Sequence, residues 1–332
     1  MSKKLVTLID IAEACGTSNV TVSKALSGKN GMSDELREKI IATADRLGYV
    51  PTKSAAPNGG IIAVLIPESF TNPNGAFYWS LYNNIVLCLK QEGYSCIQQN
   101  LTQTEEKSFT MPAFLGGQNI AGIISLGQLD RRYVDKLASQ TKNLLLLDYY
   151  FSDTDIDCVI TNGFLGGYRL TRHLIEQGHR DIGFIGTWRA TTSIFDRYMG
   201  YVKAMTEQDL PINGQWYIPD RTVDNELFEQ LSFPKELPTA FVCNCDECAF
   251  KVIRDLKAMG YAVPDDISIV GYDNYHISEI SDPPITTINV DSKEMATTAV
   301  STLLERIRNP KPPTRIQILD GKLMEKASVR KI

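Results

Sequence analysis

At 332 residues, 43% of them hydrophobic, the chain is long enough for two or three globular domains with a sizeable core. No apolar run approaches the roughly 20 residues of a membrane span, and Asp10 and Glu13 arrive before a signal-peptide core could form. The net charge of −5 divides unevenly, +2 over residues 1–57 and −7 beyond, so a mildly basic head precedes an acidic body.

The head reads as three short helices. Thr7-Leu-Ile-Asp10 has the form of a capping box, and Gly16 ends the helix it starts. The next helix, Ser18 to Gly28 (SNVTVSKALSG), has a capping serine and a terminal glycine. Its Val22, Ala25 and Leu26 share one face and are expected to be buried. Val20 and Lys24 lie one turn apart on a different face, with Asn19 at its N-terminal end. Ser33 caps a third helix, where Leu36, Ile40, Ile41, Ala44 and Leu47 recur at helical spacing up to Gly48.

Two helices joined by a short glycine-containing turn form a helix-turn-helix, whose second helix enters the DNA major groove. That explains a valine, an amide and a cation facing water on so short a helix. Asn19 can address adenine, Val20 a thymine methyl, and Lys24 a guanine or a phosphate. Thr7, Thr17, Ser18, Thr21 and Ser23 offer short hydroxyl and capping groups suited to phosphate oxygens.

Residues 51–60 (PTKSAAPNGG) read as a linker. Beyond it, apolar runs at 61–66, 121–125, 144–148, 182–186, 240–243 and 267–271 are expected to be buried parallel strands. Helical segments fall between most of them, at 77–92, 130–140, 164–178, 194–208, 246–259 and 291–308. The predicted fold is an all-α helix-turn-helix headpiece followed by a two-lobed α/β domain with doubly wound parallel sheets. The expected domains are a headpiece at 1–50, a hinge linker at 51–60 and an effector-binding and dimerisation domain at 61–332. Lobe one takes about 61–160 and 291–320, and lobe two about 161–290 and 321–332.

Ligands of such sheets bind beyond the carboxyl ends of the strands. Polar residues that close apolar strands are therefore candidates: Asp148 after a run of leucines, and Asp273 after SIVGY. Arg197, in an otherwise amphipathic helix, is a third. Cys243, Cys245 and Cys248 have metal-like spacing but no clear fourth ligand, so no metal or cofactor is expected. An odd total of seven cysteines suits a reducing cytoplasm. No nucleophile–base pairing and no glycine-rich phosphate loop with its lysine is evident, which argues against an enzyme. A secreted solute receptor would lack the DNA-reading head.

Position by position, the segment VTLIDIAEACGTSNVTVSKALSG…SDELREKIIATADRLGYVP resembles the headpiece of LacI/GalR-family transcriptional regulators. VITNGFLGGYRLTRHLIEQGHRDIGFIG, RYMGYVKAM, TAFVCNCDECAF, VPDDISIVGYDN and PPITTINVD continue the resemblance in order through the chain. It implies a cytoplasmic, homodimeric, sequence-specific regulator, a repressor by expectation, acting on double-stranded operator DNA and making no membrane contact. Its partner is a small-molecule effector between the lobes, expected to be a sugar, with a purine as the alternative. No heptad tail is evident, which favours a dimer over a tetramer.

The resemblance also places Asp148, Arg197 and Asp273 at effector-contacting positions and Phe77 and Tyr78 in a segment whose aromatics pack on the ligand. Residues 216–221 are a further possible wall. Cys245 stands where the family often has asparagine, so Asn244 and Asp246 are expected to supply the amide and carboxylate there. Asn162 replaces a usual aspartate. Asn30 and Lys53 complete the expected DNA-contacting set. In the linker, Asn58 replaces the leucine that wedges into the minor groove and Ala56 a usual arginine. Pro57 ends any helix begun near Thr52, which predicts a hinge helix of at most a turn and weaker DNA bending.

Overall fold

The computed structural model describes residues 6–26, 32–47, 60–71, 76–116, 120–310 and 313–332. Gly28, Asn30, Gly48 and linker residues 51–59, with Lys53, Pro57 and Asn58, therefore lie outside the described residues. The chain forms two compact units, Met1–Asn58 and Gly59–Ile332.

The first unit holds α1 (Leu8–Cys15), α2 (Asn19–Leu26) and α3 (Asp34–Leu47). The Thr7–Asp10 capping box forms: the Thr7 N–H donates to Asp10 Oδ2 at 2.6 Å, and the Asp10 N–H donates back to Thr7 Oγ1 at 3.4 Å. Gly16 closes α1 in the left-handed region, φ 67° and ψ 36°. Ser18 caps α2 by accepting from the Thr21 N–H at 3.1 Å, and Ser33 caps α3 by accepting from Leu36 N–H at 3.3 Å.

Ile11, Ala12, Cys15, Val22, Ala25, Ile40 and Ala44 make the core. Leu26, expected inside, is exposed, as are Ile41 and Leu47 of the helically spaced set on α3, and Leu36 is only half-buried. Three short helices enclose a narrow core, and successive residues point about 100° apart. Once Ala25 and Ile40 fill the stripe, Leu26 and Ile41 turn outward.

The second unit begins with β1 (Ile61–Pro67), α4 (Ala76–Gln91), β2 (Ser95–Leu101), α5 (Gln103–Lys107), β3 (Ile120–Leu126), α6 (Arg131–Gln140), β4 (Leu144–Leu147) and β5 (Asp157–Thr161). It continues with α7 (Gly163–Glu176), β6 (Ile182–Ile185), α8 (Thr192–Thr206), β7 (Tyr217–Ile218), β8 (Ala240–Cys243), α9 (Asp246–Ala258), β9 (Ser268–Val270) and α10 (Ile277–Ile280). The chain ends with β10 (Thr287–Asn289), α11 (Ser292–Arg308), β11 (Ile316–Leu319) and β12 (Lys322–Met324). All six apolar runs become strands.

Two parallel sheets result. One has the order β11-β5-β4-β3-β1-β2, the other β7-β6-β8-β9, and β10 pairs antiparallel with β12. The first sheet is covered on both faces, which is why β1 reads as an unbroken apolar run. Ile62, Val64 and Ile66 pack with Leu81, Ile85 and Leu303, while Ala63 and Leu65 join the cluster of Phe114, Tyr133 and Leu137. The chain passes between the lobes after β5, after β10 and after β11. Asn162, at the first passage, caps α7 by accepting from the Leu165 N–H at 3.1 Å and donates to Asp320 at the third, 2.8 Å. Its departure from the expected aspartate thus falls at a passage between lobes.

In lobe two, α7 and α8 meet backbone to backbone. A Cβ on Gly167 would lie 2.1 Å from the Arg197 carbonyl oxygen, and one on Gly200 would lie 2.1 Å from that of Phe164. This close approach fixes the helix that carries Arg197.

Candidate DNA-reading helix and ligand cleft

On α2 the reading face is open. Val20 is 64% exposed, and Asn19, Ser23 and Lys24 are exposed beside it. Thr21 is half-buried and its hydroxyl lies 2.8 Å from that of Ser18. Thr17 is half-buried in the turn before α2, and Thr7 is exposed at the start of α1. The structure therefore presents one helix face carrying an amide, an apolar group and a cation, bordered by hydroxyls.

In the second unit, a pocket lies at the carboxyl ends of both sheets. Phe70, Phe77, Tyr78 and Asp148 line it from lobe one, and Arg197, Arg221, Asn244 and Asp273 from lobe two. Asp148 and Asp273 leave their strands with positive φ, 69° and 111°, which turns their carboxylates out of the strand direction. Tyr78 donates its hydroxyl to Asp148 at 2.7 Å. Arg197 donates to the Asn244 carbonyl oxygen at 2.7 Å, stands 3.7 Å from Asp273 and lies 3.9 Å over the Tyr272 ring. Its Nε has no hydrogen-bond partner.

One cation thus serves two buried carboxylates. Burial raises the pKa of Asp148 and Asp273, and the Arg197 charge opposes this in both without cancelling it. Burial disfavours the charge on Arg197, but Asp273, Tyr272 and Asp148 more than offset it and raise its pKa. The set offers fixed donors and acceptors to hydroxyl groups, with the Phe77 and Tyr78 rings against the same space.

Behind this lies a second ion pair that sequence reasoning did not resolve. Arg221 bonds Asp220 at 2.8 Å and Asn225 at 2.8 Å, and Asp220 also accepts from the Asn244 amide at 2.8 Å and the Thr187 N–H at 2.9 Å. Asp220 is held below the usual carboxylate range: burial pushes up, while Arg221, Asn244 and Thr187 pull down further. Of residues 216–221, only Arg221 lines the pocket, whereas Trp216 turns its indole to the Glu236 carbonyl oxygen. The Asn244 amide is committed to Asp220 and to the Ile185 carbonyl oxygen, so this residue joins the two ion pairs.

Asp246 is a correction. It is fully buried and does not line the pocket. As the first residue of α9 it faces away from the space that Cys245 faces, and neither of its carboxylate oxygens finds a hydrogen-bond partner. It packs on Gly271, where a Cβ would lie 2.2 Å from its Oδ1. Burial pushes its carboxyl up to about 7, against smaller pulls from Thr287, Asn274, Lys326 and Tyr275. The neighbouring thiols pack into the structure: Cys243 and Cys248 are buried, and Cys245 caps α9 with its Sγ 3.4 Å from the Cys248 N–H. No group of three or more His, Cys, Asp or Glu among the described residues is placed to hold a metal ion. No helix among them is long and apolar enough to cross a membrane.

Residues 7–52 match the family model of bacterial regulatory proteins of the lacI type, and residues 171–329 match a periplasmic binding protein-like domain. The chain therefore carries a lacI-type regulatory domain ahead of a periplasmic binding protein-like domain. It is a DNA-binding regulatory protein with a ligand-binding domain. The HTH-type transcriptional repressor PurR of Actinobacillus pleuropneumoniae serotype 3 (strain JL03) is 28% identical over 334 residues, covering 99% of each chain. The lac repressor dimer bound to operator and the anti-inducer ONPF superposes with a TM-score of 0.76 at 24% identity, over 98% of this chain and 100% of that one. A complex of the transcriptional regulator CelR with cellobiose gives 0.69 at 21% identity, over 97% and 99%. At these identities the solved structures establish the fold.

Proposed function

We propose that this protein is a transcriptional repressor that acts in the cytoplasm as a homodimer on a roughly palindromic operator, under control of a sugar bound between its lobes. Asn19, Val20 and Lys24 read base edges, while Thr7, Thr17, Ser18, Thr21 and Ser23 hold phosphates. Asp148, Arg197 and Asp273 bind the sugar's hydroxyls, with Phe77 and Tyr78 against its ring. The observation that carries the reading is Arg197, buried 3.7 Å from Asp273 in the pocket at the strand ends that Asp148 also lines. Repression is supported by the PurR relative, a dimer by the operator-bound lac repressor, and a sugar by the cellobiose complex of CelR.

Ligand movement of the lobes then alters how the two headpieces meet half-sites about one helical turn apart. A thermal-shift screen of sugars and purine bases tests this, because a ligand at 100 times its Kd stabilises the folded state by about 2.7 kcal/mol. A sugar that raises Tm, with loss of that rise in Arg197→Ala, supports the reading. A shift given by purine bases and by no sugar contradicts it.

A further inference from the structure

The pocket around Arg197 is only one end of a longer trench. Its free volume is about 80 Å³, below the roughly 150 Å³ that holds a benzene ring. A second cavity of about 670 Å³ adjoins it and shares Ser69, Phe70, Thr191 and Asn225 with it. That volume lies within the range of ordinary ligand sites, about 300–1,000 Å³.

Strand order explains the arrangement. Residues after β8 and β9 line the inner end alone, residues after β2 and β3 the outer end alone, and residues after β1, β4, β6 and β7 line both. From β4 to β2 is three strand spacings, about 14 Å, so the trench runs along the carboxyl edge of both sheets. Phe70 stands at the junction, its ring 4.6 Å from that of Tyr78. It fits there because Gly127 has no side chain: a Cβ would lie 2.9 Å from the Phe70 ring, at a φ of +85°.

The outer cavity persists with the lobes in contact. Lys107 bridges to Asp224 at 3.0 Å, and Gln128 accepts from the Thr192 N–H at 2.7 Å. Its chemistry is mixed and nearly neutral. Lys107, Arg131, Arg132 and Arg189 face it, against the carboxylates of Glu68, Glu106, Asp130, Asp224 and Glu226. Arg131 and Arg132 are paired with Asp135 and Asp130 and lie over the rings of Phe151 and Phe109. Balanced charge disfavours a strongly anionic guest, whereas aromatic rings edged by paired arginines and carboxylates suit the alternating apolar faces and hydroxyl rims of a sugar.

We infer that the effector is an elongated glycoside, at least a disaccharide, which offers the hydroxylated edge of one ring to Asp148, Arg197 and Asp273 and lays its next residue in the cavity bounded by Phe109, Phe151 and Arg189. This rests on the sugar reading above and narrows it to a ligand class.

The test is calorimetric titration of the full-length protein with matched sets: glucose, maltose and cellobiose; galactose, lactose and melibiose; xylose and xylobiose; fructose and sucrose. The expected result is one disaccharide binding roughly tenfold or more tighter than its constituent monosaccharides. Arg189→Ala, at an exposed residue, and Val223→Trp, which fills the outer cavity from an exposed loop position, weaken the disaccharide several-fold and leave the monosaccharide unchanged. A monosaccharide that binds as tightly as every disaccharide, in wild type and both variants, overturns the inference while the sugar reading stands. Binding of purine bases with no sugar bound overturns both.

Discussion

The candidate sites of the two units rest on opposite violations of the same burial rule. In the headpiece the informative residue is an apolar side chain left in water, Val20. In the receptor domain they are charges taken out of water: Asp148, Arg197 and Asp273. A folded domain gains nothing from either by itself, since exposed valine forgoes burial and buried carboxylates lose hydration. Each makes sense once the missing partner is supplied, a base edge for the first and a polar ligand for the second. The difference predicts opposite mutational behaviour. Substitutions on the reading face change binding and spare stability, whereas substitutions in the pocket change both.

The largest effect is expected at Arg197. Arg197→Met removes the one cation serving Asp148 and Asp273, and loss of one partner from a buried ion pair costs about 3–5 kcal/mol. The two carboxyls can relieve the loss by taking up protons, so urea unfolding should show a larger deficit at pH 8 than at pH 5. An equal deficit at both would mean that the carboxylates are not charged against Arg197 in the native state.

Next comes Asp246. Its carboxyl is pushed up by burial to about 7, from the ordinary aspartate value of 3.8. Between those values the native state holds a proton that the unfolded chain has released, so this residue's contribution is fully present below about pH 4 and is lost as pH rises through about 7. The contribution is on the order of a few kcal/mol at most. Asp246→Asn should flatten the decline of stability between pH 4 and pH 8 and be more stable than wild type at pH 8. An unchanged slope would place the titrating group elsewhere.

The headpiece effects are smaller and appear in a different measurement. Lys24→Ala should cost about 1–3 kcal/mol of operator binding if it contacts guanine, with loss of preference at that base pair. Val20→Ser should weaken operator binding at a thymine while moving stability by no more than about 0.5 kcal/mol. Unfolding of either variant well below wild type would show that α2 belongs to the core rather than to the DNA face.

Much of this was legible in the chain because the signals were local. The Thr7–Asp10 capping box, the cap at Ser18 and the terminal carboxylates of β4 and β9 each follow from a few neighbouring residues. What was missed depends on which strands become neighbours. The meeting of Phe70 with Gly127 exists because β3 lies beside β1, and the Asp220–Arg221–Asn244 network because the ends of β7 and β8 flank β6. Asp246 was misplaced for the opposite reason. It adjoins two pocket residues in sequence, but the first turn of α9 carries it behind the wall. Leu26 turns out exposed, as do Ile41 and Leu47, because helical spacing marks a face without saying how wide the facing core will be.

The central claim is that occupancy of the buried pocket governs what the exposed helix does. Its most direct test is anisotropy of the full-length protein on a duplex selected from a random library, at fixed salt, with and without a ligand shown by calorimetry to bind. A change of about 5–150-fold in affinity for the selected duplex, the range of 1–3 kcal/mol couplings, is the predicted result. Saturating ligand that leaves this affinity untouched, or a protein that prefers no duplex over random competitor, would contradict it.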